Sequence, residues 1–476
     1  MIRRPIAASL ALVAIAIVAA VALLAQPLGG PSPAPLPILI GAVFPTDGNA
    51  ASLAGPELEG VRIAARLVNA DGGVAGRPVQ LVERNLASRD QAASVMADLA
   101  RQGVRVVIGA YSSDLSIAAS AAASDAGLVY WESGAVADQL TGRGLPLVFR
   151  VGTSGSTLGT NSATFAAQEL APRLGKTAAT LRVAIVQAQD AYAQSVADAA
   201  TSTAAREGLD VVASVSYNLT LPRWPQVMAQ LQAARPDTII LASHIPDGIA
   251  FRQAMLASGL HVGALIGSTM AECDPDFAGD LGADAIGIFA SDRPTAGFRP
   301  DALDPAARAV YDRFATEWAV AAPTYASGGT SRGSGGGYGS GGGYGGTTGG
   351  GDSPAASADE YPLTGPAEAA TAEQSEEALA GFSAGWALFH DVLPSSTPAA
   401  GNLDPTTVAT AARSVDLPQG SLPNGAGLRF SQDQATLGQN ERAAAVIWQW
   451  QAVRQYAFVW PPSYATGSII DVPLTR

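Results

Sequence analysis

The feature that most constrains the fold is a regular alternation of short apolar runs with longer helical segments. Runs rich in Val, Ile and Leu each fit one buried strand, and they occur at 38–44, 79–83, 104–108, 128–131 and 147–151. Helical segments follow the early runs, such as PELEGVRIAARLVNA from Pro56 onward. Strands that alternate with helices of about ten or more residues indicate α/β architecture with a doubly wound parallel sheet.

The same alternation restarts after residue 152 and predicts a second α/β lobe. Its predicted strands are 181–187, 209–215, 238–242 and 262–266, separated by helices. After 288–291 the chain is predicted to return to the first lobe, and two further strand-like runs lie at 446–450 and 457–460. A chain that crosses between two lobes builds a cleft, and small ligands bind in such clefts.

Residues 104–124, VRVVIGAYSSDLSIAASAAAS, join the end of a strand to the start of a helix. Gly109 ends the strand, and Ser112, Ser113 and Asp114 are residue types that favour a helix start. The first N–H groups of a helix lack backbone partners and the helix dipole adds partial positive charge. Such a turn therefore suits a carboxylate as well as a phosphate. The alternative is an ordinary strand-to-helix turn.

Composition argues against several classes of function. A net charge of −13 and a pI near 4.7 argue against nucleic acid as a partner. Cys273 is the single cysteine, and none of the three histidines stands at metal-ligand spacing with another His or Cys. No phosphate loop, G-x-S-x-G elbow or H-E-x-x-H motif occurs in the sequence. We therefore expect no catalytic residue, no cofactor and no metal.

The N-terminus carries a targeting signal. Two arginines precede an uncharged apolar run, 5–25, which is long enough to cross a bilayer and longer than the core of an ordinary signal peptide. Residues 1–26 are predicted to remain as a membrane anchor, with a cleaved signal as the alternative. In both cases the rest of the chain is exported, and the Pro/Gly-rich residues 27–37 form a spacer.

A second unusual segment interrupts the later part of the chain. Residues 327–358 are rich in Gly, Ser and Tyr and show no apolar periodicity, so we expect a flexible insert. The insert is either a tolerated surface loop or a contact segment for the cell wall.

Six motifs follow one another in a characteristic order. They are GAVFPTDG, LEGVRIAARLVNADGGVAGRPV, GVRVVIGAYSSDLSIAAS, ESGAVADQLTGRG, QDAYAQSV and SHIPDGIAFRQAMLASGL. In this order the chain resembles the type I periplasmic binding proteins, in particular the branched-chain amino acid and amide receptors of ABC importers. The resemblance covers residues 38–464 and implies two doubly wound lobes around a central cleft, the Venus-flytrap architecture.

The resemblance also implies domain boundaries. The N-terminal lobe would comprise 38–152 and 290–439, including the insert, the C-terminal lobe 153–289 and 440–464, and a tail 465–476.

Ligand contacts are implied in both lobes. The family's carboxylate-binding serine corresponds to Ser113, next to Ser112. The carbonyl and hydroxyl that bind the ligand ammonium correspond to Gly134 and Val136, so the hydroxyl is missing here. The lid tyrosine corresponds to Tyr192. Two further aromatic positions of the family fall near His244 and Leu53.

The acidic partner of the ligand ammonium is also changed. Its position falls near Thr269, which is not acidic, and Glu132 and Glu272 are the candidate replacements. The residues that bind the ligand carboxylate in the family are present here, whereas those that bind the ligand ammonium differ. The sequence therefore leaves two ligand classes as alternatives: a leucine-like amino acid, and another small amphipathic acid or amide.

These observations predict a monomeric extracytoplasmic receptor that closes over a small carboxylate-bearing solute. It would deliver an amino acid or amide-like ligand to an ABC permease in the membrane. The alternatives are a sensory receptor domain that signals to a membrane partner without transport, and a structural or wall-associated protein.

Overall fold

The described residues of the computed structural model form two β-sheets, each covered by helices. The structure describes residues 35–48, 50–268, 275–294, 298–326, 375–398, 400–453 and 455–474. The predicted anchor 1–26, most of the spacer, the insert 327–358 and Glu272 lie outside the described residues. Among the helices described, none is both long enough and apolar enough to cross a bilayer.

The smaller sheet forms the first lobe. Its strands are β1 Ile38–Phe44, β2 Val79–Asn85, β3 Val106–Gly109, β4 Val129–Glu132 and β5 Val148–Arg150. They are all parallel and lie in the order β2-β1-β3-β4-β5. The connecting helices are α1 Ala51–Ala70, α2 Ala92–Arg101 and α3 Ser113–Asp125. The predicted doubly wound parallel sheet is confirmed for this lobe.

The larger sheet forms the second lobe and is mixed. Its strands are β6 Arg182–Ala188, β7 Asp210–Tyr217, β8 Thr238–Ala242, β9 Ala264–Ser268, β10 Phe289–Asp292, β11 Val446–Ala452 and β12 Gln455–Trp460. The order is β12-β11-β10-β9-β8-β6-β7, and β11 runs antiparallel to both β10 and β12. The predicted parallel sheet is confirmed for β6 to β10, and β11 and β12 add an antiparallel edge to it. A short hairpin turn joins β11 to β12, and strands joined in this way are antiparallel.

The remaining helices cover both lobes. They are α4 Gly155–Phe165, α5 Ala171–Arg173, α6 Ala191–Glu207, α7 Trp224–Ala234, α8 Ile245–Ser258, α9 Pro275–Leu281, α10 Pro305–Ala326, α11 Glu376–Trp386 and α12 Pro405–Ser414. Helix α11 packs closely along α1, and α10 also contacts α1, so these late helices belong to the first lobe.

The chain passes between the two lobes three times. It leaves the small sheet after β5, leaves the large sheet after β10, and returns to the large sheet at β11. Strand β10 continues to Asp292, so the boundary predicted at residue 290 falls inside a strand of the large sheet. The first and third crossing segments lie side by side, since the Asn440 side-chain amide donates a hydrogen bond to the Val151 carbonyl at 2.9 Å. The second begins at Arg293, and the region of the three crossings is called the junction between the lobes.

Candidate functional site

The turn between β3 and α3 carries the predicted anion site. Ser112 caps α3, and its Oγ accepts a hydrogen bond from the Leu115 N–H at 3.4 Å. Ser113 is the first helical residue and is half-buried. Tyr111 has a φ of 81°, a left-handed conformation that non-glycine residues rarely adopt and that is common at binding turns. The partial positive charge of the helix start and a serine hydroxyl therefore lie together.

A loop after β4 connects this turn to the second lobe. The Ala137 N–H donates to Ser113 Oγ at 3.1 Å, and the next residue, Asp138, donates its N–H to Ser195 Oγ of α6 at 3.0 Å. The Val136 carbonyl accepts from the Gly155 N–H at the start of α4 at 2.6 Å. Helices α3 and α6 also contact each other. The loop thus brings Ser113 and Val136 to the surface where the lobes meet.

Tyr192 and His244 lie together in the second lobe. Their rings are 5.3 Å apart, edge to face, and the Tyr192 hydroxyl donates to the Ser268 carbonyl. His244 Nε2 lies 3.6 Å from Asp190 Oδ2, and its Nδ1 lies 3.7 Å from Asp247 Oδ1. Burial lowers the pKa of His244, but these two carboxylates outweigh it and hold the pKa above its usual value.

Buried apolar side chains accompany these polar groups. Leu53 is buried in the first turn of α1, and it belongs to the same continuous apolar cluster as Tyr111, Val136 and Tyr192. This cluster includes residues of both lobes. A polar anion site beside apolar side chains suits a small amphipathic ligand.

The two first-lobe groups considered for a ligand ammonium already have partners within the protein. The Gly134 carbonyl accepts a hydrogen bond from Arg293 Nη1 at 2.9 Å. Glu132 is completely buried, and its Oε1 accepts from the N–H groups of Gly134 at 2.9 Å and Ala135 at 2.7 Å. Burial raises the pKa of Glu132 to about 7. Glu132 therefore holds its own turn in place.

Sequence reasoning missed a group of buried charges next to this loop. Glu57 of α1 is fully buried and accepts a hydrogen bond from the Ser133 hydroxyl. Arg293 pairs with Glu376, and Asp292 precedes Arg293 at the end of β10. Burial raises the pKa of Glu57 to about 8.

One sequence signal could have revealed Glu57. Glu57 stands four residues before Val61, on the apolar face of α1, where a carboxylate is not expected. The other three residues carry no comparable local signal.

One predicted site residue stays a prediction. Glu272 lies outside the described residues. The described part of the chain contains no group of three or more His, Cys, Asp or Glu side chains that could hold a metal ion.

A family comparison matches most of the globular chain. The model of the periplasmic binding protein family matches residues 37–331. The Leu/Ile/Val-binding protein homolog 8 of Brucella abortus is 26% identical over 87% of this chain and 88% of its own length. Homolog 7 of Brucella melitensis is 30% identical over 51% of this chain, and the match spans 61% of that relative.

Solved structures share the fold. A substrate-binding protein of an ABC transporter from Desulfitobacterium hafniense, in complex with Leu, is 21% identical with a TM-score of 0.62, covering 89% of this chain and 99% of that one. A solute-binding protein from R. palustris in complex with benzoate is 14% identical with a TM-score of 0.59, covering 91% and 98%. The chain belongs to the periplasmic binding protein family and has its type I fold.

Proposed function

We propose that this protein is the extracytoplasmic substrate-binding component of an ABC importer for a small carboxylate-bearing solute. Family membership implies an extracytoplasmic location. The expected ligand is a branched-chain amino acid, a related acid, or an amide that also carries a carboxylate. The observation that carries the proposal is the start of α3, where Ser113 and the first N–H groups of the helix lie beside the loop that contacts the second lobe.

The carboxylate of the solute would bind at the start of α3. A charged acceptor gives stronger hydrogen bonds than a neutral one, and the helix dipole adds to them. The apolar part of the solute would lie against the cluster that contains Val136 and Tyr192. Two relatives and one structural neighbour support this class, since the Brucella relatives are named as Leu/Ile/Val-binding proteins and the neighbour holds Leu.

The ammonium end of the solute is less constrained. The Gly134 carbonyl and Glu132 are engaged within the protein, and Val136 offers no hydroxyl. Acids without an ammonium group therefore belong in the expected range, and a structural neighbour that holds benzoate is consistent with this.

Binding would proceed by lobe closure. The second lobe, with Tyr192 and His244, would rotate over a solute held on the first lobe, and the closed form would be presented to a membrane permease. A monomer is sufficient for this mechanism. Residues 1–26 would tether the protein to the membrane or be removed as a signal.

Titration calorimetry with a panel of related solutes tests the proposal. The panel contains L-leucine, L-isoleucine, L-valine, L-leucinamide, isovalerate, benzoate and L-leucinol. Saturable binding of at least one carboxylate, with no binding of leucinol, is expected because leucinol lacks the group that α3 would hold. Tight binding of leucinol with no binding of any acid would refute a carboxylate site.

Uptake measurements separate transport from sensing. Deleting the gene should abolish import of the labelled solute if the protein serves an importer. Unchanged import, together with a solute response that is lost, would favour the sensory alternative.

A further inference from the structure

The junction between the lobes contains more buried carboxyl groups than cations. Glu57, Asp292 and Glu376 are each at most 5% exposed, and Arg293, at 8%, is the cation among them. One oxygen of each of these three carboxyl groups, Glu57 Oε2, Asp292 Oδ2 and Glu376 Oε2, accepts no hydrogen bond from the described residues. Burying several unpaired carboxylates around one guanidinium is very costly, so part of this cluster must carry protons.

Two of these carboxyl groups come from different lobes. Asp292 ends β10 of the large sheet, whereas Glu376 begins α11, which packs against α1 of the first lobe. The two groups lie close enough that Glu376 raises the pKa of Asp292, in addition to the larger effect of burial. Two carboxyl groups in such contact are stable when they share a proton, and they repel each other when both are ionised.

Arg293 connects this pair to the candidate ligand site. Its Nε pairs with Glu376, its Nη1 donates to the Gly134 carbonyl at 2.9 Å, and its backbone N–H donates to Asp292 Oδ1 at 2.7 Å. Gly134 stands two residues before Val136 in the loop that contacts both lobes. A displacement of Arg293 would therefore shift that loop.

A small cavity with both polar and apolar lining residues lies at the same place. Ser133, Thr153, Arg293 and Asn424 are among the residues that line it, and Thr153 stands on the first crossing segment. Thr153 is 2% exposed, and its Oγ1 has no hydrogen-bond partner among the described residues. The cavity gives a water molecule, and hence a proton, a place beside the cluster.

We propose that Asp292 and Glu376 share a proton across the lobe junction, and that losing this proton loosens the junction and shifts the lobes toward a more open arrangement. The inference requires the two-lobed architecture and holds for any ligand.

Other charged groups surround the pair and fix the direction of the effect. Arg293 supplies the positive charge beside the pair, and it also interacts with Glu57 of α1 and Glu377 of α11. Glu132 of β4 interacts with Glu57. The raised pKa of Asp292 means that the compact junction holds the proton more tightly than a hydrated junction would. The compact arrangement is therefore favoured at low pH and lost as the pH rises through that raised pKa.

The distance between the lobes, measured without ligand, tests the inference. Spin labels would be placed at Ala93→Cys of α2 and Ala205→Cys of α6, both exposed, in a Cys273→Ser background that removes the single native cysteine. The distance distribution should move to longer values as the pH rises through the raised pKa of Asp292. Since no ligand is present, a failure here is independent of whether the protein binds a carboxylate.

Asp292→Asn is the informative variant because asparagine keeps the size and the acceptor for the Arg293 N–H but cannot ionise. It should remove the dependence of the distance on pH. Asp301→Asn, at an exposed position, should behave like the parent. An unchanged dependence in Asp292→Asn, or a parent distance that does not vary with pH, would overturn the inference.

Infrared spectroscopy gives a second measurement that does not depend on a movement of the lobes. The parent protein should show the carbonyl band of a protonated carboxyl group at neutral pH, and Asp292→Asn should lack one such band. If the variant does not fold, Glu57→Gln and Glu132→Gln proteins identify the bands of the two other carboxyl groups with raised pKa values, and a further band at neutral pH then reports on the pair. A parent with no protonated carboxyl band at neutral pH would contradict the shared proton.

Discussion

At the scale of single residues, the carboxyl group of Glu57 is the clearest departure from ordinary chemistry. It lies inside the first lobe, bonded to the Ser133 hydroxyl, and burial raises its pKa from 4.5 to about 8. A Cβ on Gly134 would overlap the Glu57 carboxyl group, so a larger residue there would displace that carboxyl group. Glu57 and the loop that contains Gly134 are therefore fitted to each other.

The raised pKa of Glu57 has a defined effect on stability. The folded protein holds this proton up to about pH 8, whereas the unfolded chain releases it near 4.5. The unfolded state binds fewer protons in that window, so the free energy of unfolding falls as the pH rises, by up to about 1.4 kcal/mol per pH unit. Glu57→Gln should remove this contribution to the slope, as measured by urea unfolding at several pH values.

The matched control for Glu57→Gln is Asp125→Asn, at an exposed position of α3. It should leave the slope unchanged. A Glu57→Gln protein with the same pH slope as the parent would show that Glu57 is not protonated in the folded state.

At the scale of elements, the close packing of α1 against α11 fixes the buried cluster. Gly60 of α1 lies against the Ala378 carbonyl, and Gly381 of α11 lies against the Glu57 carbonyl, so neither position has room for a Cβ. Because α1 carries Glu57 and α11 begins with Glu376, this contact sets the spacing of the two acids.

Gly381→Ala should therefore force the two helices apart. Alanine favours a helix over glycine by about 1 kcal/mol. Overpacking against a backbone carbonyl costs about 1–3 kcal/mol, and so we expect a net loss of stability. Denaturant unfolding measures this loss, with Ser202→Ala at an exposed position of α6 as the control. A Gly381→Ala protein more stable than the parent would contradict the packing argument.

The elements themselves were largely predictable because their signals are local. Apolar runs predicted β1 and β3 within two residues of their observed bounds. Ser112 was predictable as a cap from its residue type and place. The antiparallel placement of β11 was not predictable in this way, because pairing with β10 joins segments far apart in the chain.

The buried cluster was unpredictable for the same reason. Glu57 and Ser133 are 76 residues apart, and Arg293 lies 159 residues from Gly134 and 83 from Glu376. No pattern within a single element indicates that these side chains meet. Resemblance to the family indicated Ser113 and Tyr192, but it could not show that the Gly134 carbonyl is engaged by Arg293.

At the scale of the whole molecule, three crossing segments join the two lobes, with the candidate site on one side of the junction and the proposed proton-holding cluster within it. The loop after β4 takes part in both the candidate site and the cluster, since Gly134 contacts Arg293 and Ala137 contacts Ser113. Ligand binding and the state of the junction are therefore expected to influence each other.

The central claim is that the ligand carboxylate is held at the start of α3, and comparative calorimetry on Ser113→Ala tests it most directly. With the tightest acid of the panel, this variant should lose about 1–3 kcal/mol of binding free energy, about 5- to 150-fold in Kd. Ser124→Ala, near the end of the same helix, should bind like the parent. An affinity unchanged in Ser113→Ala would contradict the claim.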